Sequence, residues 1–275
     1  MTLVDKAFVW CNGPGPVYLD VIDLVHQHLL PRTYIEIGVS TGRSMTRTLP
    51  GTDCIGVDPD PRPVFPVGKS TRIFNQTSDD FFAQHDLGEL FAGLPLDLAF
   101  IDGMHQFEFA LRDFINVERA ANSDTTVLIH DCLPIDEASA QREKSTHQWT
   151  GDIWRLVLIL RAWRPDLEVH VADSPPSGLG IVRNLDSSST VLSDHYDEIV
   201  KHYFDVPYSS LDDGTMFEQL NRVPGDWPAV RDLLPRRPFR TDNLDRLKSE
   251  RLRRSLGPSV SRSLKRSIKG GRPGQ

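Results

Sequence analysis

The stretch Thr33–Gly42, TYIEIGVSTG, constrains this chain more than any other. Tyr34–Val39 reads as a short buried strand that ends in a turn punctuated by Gly38 and Gly42, with a helix expected to start near Ser44. Glycines at the carboxyl end of a strand let a ligand press against bare backbone, and the N-terminus of the following helix offers unpaired N–H groups. A chain that opens in this way continues most simply as further strand–helix units laid beside the first.

The remaining sequence follows that plan. Val17–Leu30 places Leu19, Ile22, Val25 and Leu29 at helical intervals and predicts an amphipathic helix that Pro31 stops. Strands are expected at Asp53–Val57, Thr71–Asn75, Asp97–Ile101, Thr125–Ile129, Leu167–Val171 and Gly180–Arg183. Helices are expected after Asn75 with Ser78 or Asp79 as the N-cap, from Phe107 to about Ala121, and from about Asp152 to Trp163 with Asp152 as the N-cap. Strands alternating with helices define an α/β chain, a Rossmann-like doubly wound and mainly parallel seven-stranded sheet with a C-terminal helical or irregular extension. Residues 1–184 would form the main domain, with 1–32 as lead-in and first helix. Residues 185–240 would form a cap or dimerisation extension, and 241–275 a basic, flexible tail. Pro134–Thr150 is long and polar for a connection, which marks it as a functional loop.

Composition narrows the class. With 39% hydrophobic and 25% charged residues in 275, the chain can bury a full core. No apolar run approaches the roughly 20 residues needed to span a bilayer, and the start lacks the pattern of a secretory signal. Cys11, Cys54 and Cys132 form no CxxC pair, as expected of reduced thiols in a cytoplasmic protein. The net charge of −7 is unevenly placed: residues 231–275 hold 14 Lys/Arg against 4 Asp/Glu. Such a tail suits an anionic partner, although no zinc or recognition-helix signature points to sequence-specific nucleic-acid binding. Phe204, Tyr208, Phe217 and Trp227 would pack a cap or a homo-oligomer interface.

The chemistry gathers at the strand ends: EIGVSTG after the first strand, DPD after the second, QTSD after the third, DGMH after the fourth and HDC after the fifth. Doubly wound sheets bind ligands beyond these ends, near the point where the strand order reverses. Asp58 lies about 22 residues after Glu36, close to the spacing of a ribose-binding acid at the end of strand two. The glycines read E-x-G-x-x-x-G, not the G-x-G-x-x-G of a pyrophosphate turn, so a ligand with a ribose and no pyrophosphate fits best. Asp102 and Asp131 end strands four and five and can face one cation, and oxygen ligands suit Mg²⁺. His105, three residues after Asp102, is the candidate general base, being a group that titrates near neutrality. Asp113 is read as exposed, or as paired in the neighbourhood of Arg112, and without a role.

YIEIGVSTGRS, IGVDPD, LAFIDGMHQFEFALRDF, VLIHDC and WTGDIW together resemble the class I S-adenosylmethionine (SAM)-dependent methyltransferases. The resemblance covers roughly residues 34–183 and is to the branch with small-molecule and sugar O-methyltransferases, related to macrolide-sugar and cephalosporin-biosynthesis enzymes. It implies that Glu36, Gly38 and Gly42 border the methionine part of the cofactor, Asp58 the ribose, and Gln76 or Ser78 the adenine. It also implies a divalent metal, Mg²⁺ or Mn²⁺, on Asp102 and Asp131. Here His130 takes the place where a second acid or amide often stands, which makes it the third expected ligand; imidazole favours transition metals over Mg²⁺. The expected reaction is O-methylation of a hydroxyl on a sugar, glycoconjugate or secondary metabolite, with His147 and the TGDIW segment bordering the acceptor. A nicotinamide-dependent oxidoreductase, or a non-catalytic scaffold docking through its basic tail, are the alternatives.

Overall fold

The computed structural model describes residues 16–211, 216–236 and 238–240. The basic tail at 241–275, Cys11 and the side chain of Phe217 lie outside them. Helix α1, Tyr18–Leu29, leads into strand β1, Thr33–Ile37; β2 is Asp53–Asp58 and β3 is Thr71–Asn75. Helices α2, Ser78–Gln84, and α3, Leu87–Leu90, precede β4, Leu98–Ile101. Helix α4, Phe107–Arg119, leads to β5, Thr126–His130, and α5, Trp154–Trp163, to β6, Glu168–Asp173. Strand β7, Leu179–Arg183, is followed by α6, Val191–Asp194, α7, Tyr196–Tyr203, and α8, Met216–Gln219. Strand β8, Arg222–Pro224, and α9, Trp227–Asp232, complete the described elements.

The strands lie in the order β3-β2-β1-β4-β5-β7-β6-β8. Only β7 among them runs against its neighbours, pairing antiparallel with both β5 and β6. The central strands are apolar on alternate sides, and helices cover both. Ile35, Ile37, Ala99, Ile101, Val127 and Ile129 pack on Phe81, Phe114 and Leu156 of α2, α4 and α5. On the opposite side, Tyr34, Leu98, Phe100 and Leu128 pack on Val21, Ile22 and Val25 of α1. Strand periodicity then decides where the polar strand residues point. Glu36 shares the side of Tyr34, and His130 that of Leu128, both towards α1.

Three expectations need correction. The sheet has eight strands, not seven, because β8 comes from the expected C-terminal extension and pairs parallel with β6, Val171 opposite Arg222. From the same segment, Val230 of α9 packs in the α1-side cluster. The helix expected near Ser44 is a single 3-10 turn, Met45–Arg47. Ser44 makes no capping bond, the chain is already extended at Thr48, and Pro50 bars its return to a helix. Finally, Thr77 caps α2, accepting the Asp80 N–H at 3.1 Å, so Ser78 lies inside the helix.

Among the described residues no helix is long and apolar enough to cross a membrane.

Candidate active site

Order reverses between β1 and β4, which leave the sheet's midline in opposite directions. A cleft of about 900 Å³ opens there, over the carboxyl ends of β1, β2, β4 and β5. Its floor is a tight contact between two strand ends. The Gly38 N–H donates to Val57 O at 2.8 Å, and the Asp102 N–H donates to Ile37 O at 2.8 Å. Gly38 has φ +88°, and a Cβ there would lie 1.9 Å from Asp102 O. Only glycine meets both conditions.

On one side stands Asp58. Its Oδ2 accepts the Ser40 N–H at 2.7 Å and its Oδ1 the Asp60 N–H at 2.7 Å. The carboxylate is thereby held in place while each oxygen keeps a lone pair for a ligand hydroxyl. Gly38, Asp58 and Ser78 line the cleft. Glu36, Gly42 and Gln76 do not. Gly42, at φ +77°, shapes the turn against Pro63 and Val67. Glu36 is fully buried beneath the turn, where Oε2 accepts the Tyr34 hydroxyl at 2.7 Å and Oε1 the Ser44 hydroxyl at 2.6 Å.

Burial pushes the Glu36 pKa up to about 8, against the pull of its two donors. The folded state therefore holds a proton that the unfolded chain releases near pH 4.5, and stability falls as pH rises from there through about 8. Glu36→Gln removes that dependence. Between pH 5 and pH 8 the variant is expected to lose less stability than the wild type, by up to about 4 kcal/mol, read from urea-unfolding midpoints. Identical pH profiles would show that Glu36 is ionised in the fold.

The other side of the cleft carries two carboxylates and two imidazoles. His105 Nδ1 lies 3.0 Å from Trp149 O and 3.1 Å from Asp131 Oδ2. Both neighbours are acceptors, so the ring carries a proton on Nδ1 and turns Nε2 towards Asp102 Oδ1, 3.6 Å away. The ring stacks on Trp149 at 4.9 Å. Its loop is fixed by Gly151, where a Cβ would come within 1.7 Å of His105 O. His130 Nδ1 lies 3.1 Å from Asp102 Oδ1 and 3.4 Å from Asp131 Oδ1, and its ring packs on Tyr18 at 4.0 Å. Ser177 donates its hydroxyl to Asp131 Oδ1.

These contacts set the charges. Burial opposes a charged His130, but Asp131 and Asp102 outweigh it and raise its pKa well above the ordinary value. His105 is raised for the same reason, with Asp102 the larger partner. Burial likewise opposes charge on Asp102, yet His130 and His105 hold it well below the usual carboxylate range. The expected metal set changes too. The atoms that can converge on one ion belong to Asp102, His105 and Asp131, all within 4.8 Å of one another. His130 is not among them.

Sequence reasoning missed three further residues. Asp113 is buried at 2% exposure and lines the cleft, not the solvent face of α4. Asp152 does not cap α5. Its Oδ1 accepts the Phe107 N–H at the start of α4 at 2.8 Å, and its Oδ2 pairs with Arg142 and Arg155. Arg142 also reaches Glu108 on α4, so the 134–150 loop is pinned to the body. His147, Trp149 and Thr150 at the end of that loop line the cleft.

Residues 35–132 match the family model of a methyltransferase domain. That span runs through all five parallel strands from β1 to β5 and takes in Gly38, Asp58, Asp102, His105 and Asp131. By that match this third of the chain resembles a methyltransferase domain, and the doubly wound sheet with its strand-end cleft agrees with it. Among solved structures, cofactor-bound Rv0187 from MTB is similar at 15% identity, over 66% of this chain and 88% of that one, with a TM-score of 0.47. The O-methyltransferase TomG from Streptomyces achromogenes, involved in tomaymycin synthesis and solved with SAM, shares 12% identity over 62% and 80%, TM-score 0.45. The O-methyltransferase from Bacillus cereus, solved with SAH, shares 14% over 66% and 88%, TM-score 0.44. These likenesses are too distant to carry activity across. No curated protein sequence matches the chain.

Proposed function

We propose that this chain is a class I, SAM-dependent methyltransferase that acts on oxygen, taking as acceptor a hydroxyl of a sugar, glycoconjugate or other hydroxylated small molecule. The carrying observation is His105, whose Nδ1 is committed to Trp149 O and Asp131 and whose Nε2 is thereby the basic nitrogen. Gly38 would pass the methionine part over bare backbone, and Asp58 would take the ribose hydroxyls. Bound SAM supplies an electrophilic methyl on a sulfonium. The chain's part is to remove the hydroxyl proton and to hold the oxygen in line. His105 Nε2 accepts that proton, and Asp102 beside it steadies the imidazolium that results. Tyr18, Trp149 and Pro176 give the acceptor end flat apolar walls beside polar groups, as suits a hydroxylated ring. The reading places the protein in the cytoplasm, in keeping with Cys54 and Cys132, which are buried and unbridged.

A divalent cation on Asp102, His105 and Asp131 is the second reading, and it would lower the pKa of a bound hydroxyl. Mixed oxygen and nitrogen donors suit Mn²⁺ better than Mg²⁺. Against it, His130 already sits between the two carboxylates. Calorimetric titration with S-adenosylhomocysteine (SAH), with and without Mn²⁺ or Mg²⁺, separates these readings. Micromolar binding unchanged by metal is expected. Heat that depends on Mn²⁺ would favour the second reading, and no binding at all would overturn the cofactor assignment.

A further inference from the structure

Methyl transfer, as laid out above, makes no use of the guanidinium in the cleft. Among the described residues that line it, Arg43 is the only lysine or arginine. The residue is exposed, and among the described residues no hydrogen bond or ion pair holds its side chain. The backbone beneath it is fixed. Gly42 and Ser44 on either side are buried, the Ser44 hydroxyl donates to Glu36 Oε1 at 2.6 Å, and the Thr46 hydroxyl donates to Arg43 O at 2.7 Å. The acids of the cleft do not neutralise Arg43. Asp58 is taken by two backbone N–H groups, Asp79 by Arg112, and Asp102 and Asp131 by the two histidines.

A second donor in the cleft is also unclaimed. The Tyr18 hydroxyl has no hydrogen-bond partner among the described residues. The Tyr18 ring packs on His130 at 4.0 Å, which sets it beside Asp102 and Asp131 and so at the acceptor end. Burial, and then Asp102 and Asp131, push the Tyr18 pKa up while Arg43 pulls it down, so the hydroxyl keeps its proton within the field of the guanidinium. A free guanidinium receives a carboxylate through two parallel N–H donors, and a phenol proton adds a third. One cation matches the single charge of a carboxylate better than the near-dianion of a phosphate monoester. The cofactor's own carboxylate is the other anion the cleft would hold. Tyr18, by its place on His130, assigns the pair to the acceptor instead.

We propose that Arg43 and Tyr18 receive a carboxylate of the acceptor, so that the hydroxyl methylated belongs to a hydroxylated carboxylic acid. This rests on the SAM-dependent reading and narrows its acceptor from hydroxylated rings in general to those that carry one negative charge.

The test is calorimetric titration of the SAH-saturated protein with two pairs of probes, glucose against glucuronate and catechol against protocatechuate, each pair differing by a carboxylate. The wild type is expected to bind at least one acid about 10- to 100-fold more tightly than its neutral partner. Arg43→Ala should bring that pair within about threefold, and Arg43→Lys should keep part of the preference, as a point charge without the fork. Tyr18→Phe should weaken the acid by about 3- to 10-fold and leave the neutral partner unchanged. The ligand-free melting temperature of Arg43→Ala and its affinity for SAH should match the wild type, because the side chain is exposed and unpaired. Wild type that binds neither acid more tightly than its neutral partner would overturn the inference, as would a preference that survives Arg43→Ala. Arg43→Ala that weakens SAH itself by about tenfold or more would place the guanidinium on the cofactor and overturn it too. Wild type that fails to bind SAH at all would instead overturn the cofactor reading, and this inference with it.

Discussion

Gly38→Ala is expected to cost the protein both its stability and its cofactor site. The added methyl group would lie 1.9 Å from Asp102 O and 2.5 Å from its carbonyl carbon, and the obstacle is backbone, not a side chain that could swing away. Relief requires moving the end of β1 from the end of β4, which breaks the 2.8 Å bond from the Asp102 N–H to Ile37 O. The backbone at φ +88° adds a penalty of its own for any residue with a Cβ. Together these place the substitution among the severe ones, on the order of 4 kcal/mol or more. Urea unfolding would register the loss directly, and SAH titration would show no binding in whatever fraction stays folded. A variant with wild-type midpoint and affinity would mean that β1 and β4 do not meet as described.

The second large effect concerns turnover. His105→Ala should lower kcat for methyl transfer by about 10²- to 10⁴-fold, the range for removal of a general base. SAH affinity should stay within about threefold, since the ring faces Asp102, Asp131 and Trp149 and not Asp58 or Ser78. Transfer of label from methyl-labelled SAM to the acceptor used by the wild type gives the rate, and circular dichroism with SAH titration checks the fold. Undiminished turnover in a folded variant would remove His105 from the chemistry.

What was legible in the sequence follows from periodicity. Strands β1, β2, β4 and β5 are short apolar runs, each closed by glycine or acid, so both the sheet and the strand-end position of Asp58, Asp102 and Asp131 could be read directly. The same periodicity held information left unused. Glu36 alternates with Ile35 and Ile37 in a strand covered on both faces, which sends it beneath a helix and away from the cleft. Asp113 falls three residues after Ala110 and four before Val117, on the buried stripe of α4, and that spacing was the signal that it is inside. Strand β8 gave no signal, because three residues ending in proline carry no period. Nor could Asp152 be placed from its neighbours, because the helix start it serves is 45 residues away.

The 134–150 loop is tied to the body by Arg142, whose side chain reaches Glu108 and Asp152, and by the backbone contacts that flank His105. Gly151 packs on His105 O, Asp152 receives the first N–H of α4, and the contact from the loop to His105 Nδ1 is a backbone carbonyl. The segment between those anchors behaves as a cassette. Its side chains other than Arg142 and Trp149 can be exchanged while His105 keeps its hydrogen-bond partner, since a carbonyl is offered whatever residue stands at 149.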